Sequence, residues 1–171
     1  PVGYGIGPAL AARDVLRVLR GDPDAPAALR PRALDLAIAL LDIAPGSQPG
    51  HAAATCRNLL ESGAALRKFM AICEAQGGFT EPVLASSTHA VLAERSGRIT
   101  SVDSRLLAKV AKLAGAPGSA SAGIDFRLRI GDSVGRGEPL FRIHAQTDGE
   151  LQYALDYAIA HPCIIAIEDL P

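Results

Sequence analysis

The chain has 171 residues, 49% of them hydrophobic and 20% charged, with a formal net charge of −1. That composition is one of a packed globular protein of one or two small domains, and it excludes a disordered chain. The near-zero charge supplies no global field for nucleic acid or an anionic membrane surface. No apolar run reaches the roughly 20 residues that span a bilayer, and no basic-then-apolar signal peptide is present. With no Trp and only 4% aromatics, the core must be built from Ala, Leu, Ile and Val.

In chain order, "PVGYGIG" begins without Met and with glycine-rich turn chemistry, more like the interior of a polypeptide than a natural beginning. Pro8 suits a first helical turn, Leu10, Val15, Leu16 and Leu19 follow at helical spacing, and Gly21 is placed to stop that helix. A second helix starts at Pro31, runs through Leu34, Ile38 and Leu41, and ends at "APGSQPG". Two further helical pieces, "HAAATCRNLLES" and "AALRKFMAICEAQ", join at Gly63. The character changes at about 77–81. Residues 88–94 and 99–102 alternate weakly around "RSGR", which reads as a hairpin turn. Asp103 or Ser104 caps the next helix, whose Leu106, Leu107, Val110 and Leu113 share one side. "IDFRLRI" alternates strictly, so Ile124, Phe126, Leu128 and Ile130 are expected inward and Asp125, Arg127 and Arg129 outward. "EPLFRIHA" is a strand, "ELQYALDYAIAH" a helix and "CIIAIEDL" a closing strand. The expected class is α+β: a helical segment, residues 1–78, followed by an α+β domain, residues 79–171.

The candidate sites are weak. "GDSVGRGEPLFRIHA", residues 131–145, has the shape of a hairpin on which carrier domains present a modified lysine. Such a domain needs a lysine at the tip, usually beside a Met; the sole Met is Met70 and no lysine lies beyond Lys112. The segment therefore reads as glycine-enabled turns that set two strands in register, with Val134 tucked between them. "GYGIGPAL" could cradle phosphate on free amides at a helix start, but it lacks both the G-x-G-x-x-G fingerprint and a following G-K-[ST]. Arg13 and Asp14 read as a solvent-facing pair or a local salt bridge, His51 as a helix entry, and His144 as an exposed or edge residue. Arg127 and Arg129 read as a solvated strand face, and Glu168 and Asp169 lie too near the end to interpret. Cys56, Cys73 and Cys163 are odd in number and widely spaced, which suits buried thiols in a reducing compartment. No metal-ligand spacing links them to His51, His89, His144 or His161. The residues alone yield no catalytic, substrate-binding or metal site.

Four stretches together carry a resemblance. "PVGYGIGPALAARDVLRVLRG", "ESGAALRKFMAICEAQGG", "VLAERSGRITSVDSRLLAKVAKLAGAP" and "GIDFRLRIGDSVGRGEPLFRIHA" resemble, in the same order, the latter part of the thymidine phosphorylase family. The likeness is to its three-domain branch, which includes AMP phosphorylase. It implies that residues 1–78 close a central α/β domain. It also implies that residues 79–171 form a C-terminal domain of pyrimidine nucleoside phosphorylase type, with barrel-sandwich or hammerhead-like hairpins. The implied activity belongs to the parent protein: cleavage of an N-glycosidic bond by inorganic phosphate, giving a free base and a sugar 1-phosphate. Phosphate is then a co-substrate, and no cofactor is implied. The implied partners are the upstream domains of the same polypeptide, a nucleoside or nucleotide, and a second copy of the protein; neither nucleic acid nor membrane is expected. The implied location is cytoplasmic.

The family's phosphate and base ligands lie upstream of the "GIGPAL" motif, so none maps onto this chain. The fragment alone is expected to fold at least in its second half, to buttress the parent enzyme and to lack turnover. One departure is visible, Ala11 where the family carries Glu, which puts in doubt whether the branch's usual substrate is retained. The rival reading is a non-enzymatic binding or assembly module of barrel-sandwich shape.

Overall fold

A computed structural model describes residues 2–44 and 50–169. The chain is α+β and divides into two compact units, Arg13–Glu81 with Val2, and Gly3–Ala12 with the chain from Pro82 onward.

The first unit is helical. Helix α1 (Pro8–Arg20) enters it from Arg13 onward and is followed by α2 (Leu29–Asp42), α3 (Ala52–Glu61) and α4 (Ala64–Ala75). Leu16 and Val18 of α1 are buried, as are Ala52 and Cys56 of α3. Pro31 lies in the first turn of α2, where a missing N–H costs nothing because that donor would have no helical partner. The helix starts at Leu29, two residues before the expected Pro31, and ends at Asp42; the expected stop at "APGSQPG" falls largely on residues 45–49, outside the described residues. Neither α2 nor α4 has a buried residue. Arg30 bridges α2 to Glu61 of α3 at 2.8 Å. Phe69 of α4 meets Phe79 edge-on, with ring centroids 6.4 Å apart. Arg20 grips Glu81 with two hydrogen bonds, 2.8 and 2.7 Å.

The second unit holds the strands. A four-stranded antiparallel sheet runs β1 (Gly5–Ile6), β4 (Gly123–Asp125), β6 (Pro139–Ala145), β2 (Ser87–Leu92). A three-stranded antiparallel sheet runs β5 (Ser133–Val134), β3 (Gly97–Val102), β7 (Ile165–Glu168). Helices α5 (Ser104–Leu113) and α6 (Asp148–Ala160) pack on the larger sheet and on each other. One continuous core joins them: Leu107 and Val110 of α5 and Ala154 of α6, with Ile99, Ile124, Phe141 and Ile143 from the strands. Both helices start where the sequence supplies a cap. Asp103 accepts from the amides of Arg105 and Leu106. Thr147 and Glu150 form a reciprocal capping box on α6.

Three strand-level expectations are corrected. The hairpin expected at "RSGR" does not form, because β2 pairs with β6 while β3 pairs with β5 and β7. Likewise 131–145 does not fold back on itself: β5 and β6 lie in different sheets. The physical reason lies at Ala93, which exchanges two backbone bonds with the turn at 137–138. Its amide donates to the Glu138 carbonyl and its carbonyl accepts from Gly137, both at 2.8 Å. Ser96 accepts from the Arg136 amide at 2.9 Å. The two expected turns thus bind each other instead of each closing its own hairpin. Val134 is buried as expected. Third, the run "IDFRLRI" is a strand only over Gly123–Asp125. Ile124 and Phe126 are buried, Leu128 is half-buried, and Ile130 is 67% exposed. There the Asp132 carboxylate accepts from the Arg129 amide and the Asp132 amide donates to the Arg129 carbonyl, bending the chain before the alternation is complete.

Candidate functional site

The glycine-rich entry "GYGIGPAL" is where a phosphate cradle would lie, and its geometry serves another purpose. Gly7 and Gly123 have φ of +140° and +147° and face each other across the β1–β4 pair. A Cβ on Gly7 would sit 2.3 Å from the Ala122 carbonyl oxygen, and one on Gly123 would sit 2.1 Å from that of Ile6. The glycines permit two backbones to touch. The amide of Ala9, at the start of α1, donates to the Ala120 carbonyl at 2.9 Å, and that of Ala11 to Gly7. These donors are spent inside the protein and do not point at an anion.

The other singled-out residues are dispersed. Asp14 is buried, only 4% exposed, while Arg13 beside it is half-buried, so the expected solvent-facing pair is corrected on the acid's side. His51 stands at the entry of α3 as expected, exposed and without a side-chain cap bond. His144, expected at an exposed or edge position, is buried at 8% exposure. It lies on β6, an inner strand, opposite Thr88 on one side and Gly123 on the other. Its ring Nδ1 is 3.3 Å from the Ala85 carbonyl oxygen. Arg127 donates to Asp125 at 3.1 Å and stacks over Tyr4, 5.3 Å from the ring centroid. This fixes β1 to β4, whereas Arg129 is exposed. Glu168 and Asp169 are both exposed. Of the three free thiols Cys56 is buried, Cys73 half-buried and Cys163 exposed, so a uniformly buried set is corrected for Cys163. Periodicity placed Cys163 on a strand, but it lies in the short turn of 3₁₀ helix Pro162–Ile164 before β7.

Sequence reasoning missed one cavity. A cleft of about 830 Å³ opens in the second unit between β2, β6, β7 and α6. Its walls include Leu92, Leu140, Leu155 and Ile159, with His89 and Glu94 among its polar groups. Arg95 donates to the Ile167 carbonyl and so occupies a backbone acceptor of β7. His161 stacks on Tyr157, centroids 3.9 Å apart, and its Nδ1 lies 2.8 Å from the Tyr157 carbonyl oxygen. Arg95 and His161 thus tie the chain to itself, and among the described residues no nucleophile–base pair is found in the cleft's hydrogen bonds. No sequence signal marks the cleft, because its walls come from strands that are not neighbours in the chain. An exposed ion pair in the helical unit shifts both of its partners. The hydrogen bond from Arg20 holds the Glu81 carboxyl below its ordinary range, and the same bond raises the guanidinium.

Among the described residues no group of three or more His, Cys, Asp or Glu side chains is placed to hold a metal ion. Nor, among the described residues, is any helix long and apolar enough to cross a membrane. The described residues form an open, mostly apolar cleft in the second unit and a smaller apolar groove in the helical unit.

Comparison with known proteins connects this scaffold to a family. Residues 98–161 match the pyrimidine nucleoside phosphorylase C-terminal domain; they run from β3 to the end of α6. A protein of Hahella chejuensis named putative thymidine phosphorylase is 56% identical over 169 residues, which is 99% of this chain and 34% of that protein. One of the same name from Legionella pneumophila subsp. pneumophila is 53% identical over 171 residues, 100% of this chain and 33% of the relative. A third, from Sphingopyxis alaskensis, is 48% identical over 169 residues, 99% and 33%. The chain spans about a third of the length of the curated relatives it matches. The second unit thus carries a match to the phosphorylase C-terminal domain, and along its whole length the chain is similar to the C-terminal portion of proteins named putative thymidine phosphorylase.

Proposed function

We propose that the parent of this chain is a pentosyl-transferring phosphorylase. It cleaves the N-glycosidic bond of a nucleoside or nucleotide with inorganic phosphate, releasing the base and a sugar 1-phosphate, and needs no other cofactor. The observation that carries the reading is the match of 98–161 to the phosphorylase C-terminal domain, set in a chain about half identical throughout to proteins named putative thymidine phosphorylase. Within that parent, this chain supplies structure. It closes the central domain, buttresses the phosphate-binding part and supports closure over the substrate and assembly of copies. A phosphorolytic site must hold phosphate and sugar in line and stabilise an oxocarbenium-like sugar, which calls for converging cationic and hydroxyl groups. The helix start at Pro8 spends amides on Ala120 and Gly7, and the described arginines Arg20, Arg30, Arg95 and Arg127 are engaged with groups of this chain. Three free thiols fit a reducing, cytoplasmic setting.

The test is base release from thymidine, uridine, AMP and CMP, with and without phosphate. It is run on the parent protein and on the 171-residue chain. The parent is expected to release base only with phosphate, and the short chain not at all. Turnover by the short chain would overturn the structural role. A parent that releases no base from any of the four would favour the rival reading, a module kept for binding or assembly.

A further inference from the structure

Strand β7 is an outer strand of the β5–β3–β7 sheet, and it borders the cleft of the second unit. The backbone fixes which groups its free edge presents. Ile99 of β3 spends both of its groups on the β5 side. Its amide donates to the Asp132 carbonyl at 2.9 Å, and its carbonyl accepts from Gly131 at 2.8 Å. Ile99 and Ile167 stand opposite each other, so theirs is a pair without mutual hydrogen bonds, and the amide and carbonyl of Ile167 point outward. An outward N–H and C=O on one residue are what an incoming antiparallel strand binds. The segment that carries them, "CIIAI" at 163–167, is apolar, rich in β-branched side chains and free of charge, Gly and Pro. Such a segment on an open edge is prone to pair with its like.

Arg95 stands in the way. Its guanidinium donates to the Ile167 carbonyl, so a charge-assisted bond already takes the acceptor that a new strand needs. The chain around Arg95 is fixed on both sides. Ala93 is bonded twice to the turn at 137–138, and Ser96 accepts from the Arg136 amide. Gly97 then lets the chain lie against β7, since a Cβ there would run into the Glu168 carbonyl. The two turns that bind each other thus have a second effect: they present one arginine to one carbonyl.

We propose that Arg95 guards the β7 edge, and that what it keeps off is the same edge of a second copy. Every copy offers an identical edge at the concentration of the protein itself, and two identical edges pair antiparallel about a two-fold axis. In that pairing each Ile167 donates to and accepts from the other, which needs both carbonyls free. With Arg95 in place the edge stays single; without it, copies join through β7.

The experiment compares the full-length parent with its Arg95→Met variant, which keeps an unbranched stem and removes the donors. Sedimentation over a wide range of concentration reads association, and a labelled peptide copying residues 164–169 probes the edge directly. With rising concentration the variant is expected to associate beyond the unsubstituted parent. It is also expected to bind the peptide about tenfold more tightly, and an excess of peptide should reverse its association. A variant that sediments as the parent does overturns the proposal, whether or not it binds the peptide. So does association that the peptide leaves intact, which would place the new contact elsewhere. Should the variant not accumulate as folded protein, hydrogen exchange at single amides of the unsubstituted parent reads the same edge. The Ile167 amide is then expected to exchange rapidly at every concentration. Protection that grows with concentration would show the edge already paired and overturn the guard equally. None of these readouts uses turnover, so the failure of the guard and the failure of the phosphorolysis reading are distinguishable.

Discussion

Gly123 shows how much a single atom decides in this chain. Its φ of +147° and its contact with Ile6 leave no space for a Cβ, and it pairs in register with the buried His144 of β6. Gly123→Ala is expected to lower unfolding stability by about 2–4 kcal/mol, from left-handed strain plus a forced separation of β1 from β4. Urea denaturation of the chain measures it, and a loss within about 0.5 kcal/mol of zero would show that the strands separate without cost. Glu81 makes a different residue-scale prediction. Its carboxyl is held below the ordinary range by Arg20, so the pair's contribution is present above the unfolded carboxylate pKa, about 4.3, and is lost as pH falls through the lowered folded value. The pair is exposed and screened, so the effect is small. The melting-temperature gap between the unsubstituted chain and Glu81→Gln should be widest near neutral pH and close in acid. A gap independent of pH would exclude the ion pair as its cause.

At the scale of elements, the helices follow their local signals. Gly21, Gly63 and the Asp103 cap mark ends or starts that the structure reproduces within a residue or two, whereas the Thr147 cap of α6, two residues before Gly149, became visible only in the structure. Removal of the Asp103 carboxylate by Asp103→Ala leaves the amides of Arg105 and Leu106 without their acceptor. The expected loss is about 1 kcal/mol, seen as a lower denaturation midpoint with unchanged slope. A neutral result would mean that water replaces the carboxylate fully. The strands follow rules that periodicity does not carry. Alternation in "IDFRLRI" was legible as far as Phe126, and then the Asp132 turn overrode it, leaving Ile130 exposed. Two glycine-rich turns that each look like a hairpin instead bond to one another through Ala93, Gly137, Ser96 and Arg136. The sequence contains the turn residues but not the identity of the partner strand, because pairing is settled by which edges meet in space.

At the scale of the molecule, two units of different character share one chain. The α+β unit has a continuous core with Ile99, Leu107, Val110, Ile124 and Ile143 fully enclosed. The helical unit leaves α2 and α4 without a buried residue. A buried core of its own allows the second unit to fold, whereas the helical unit is more apolar at its surface than an independent domain requires. The first strand extends the second unit backwards to Gly3. Residues Gly3–Ala12 group with the chain from Pro82 onward, because β1 pairs with β4 and Arg127 stacks on Tyr4. The linear reading had grouped them with the helices that follow.

By itself the sequence determined the class of the fold, the positions of the described helices to within a few residues, the Asp103 cap, and through four ordered stretches the likeness to thymidine phosphorylases. Each of these rests on contacts between residues a few places apart, or on side chains quoted directly. The tertiary structure alone decided that neighbouring strands belong to different sheets, that His144 and Asp14 are buried, that the glycines of the entry carry backbone contacts, and that the cleft beside β2 exists. Those features depend on groups distant in the chain whose closeness is paid for by burial of the shared core, and no local pattern encodes which distant groups will meet.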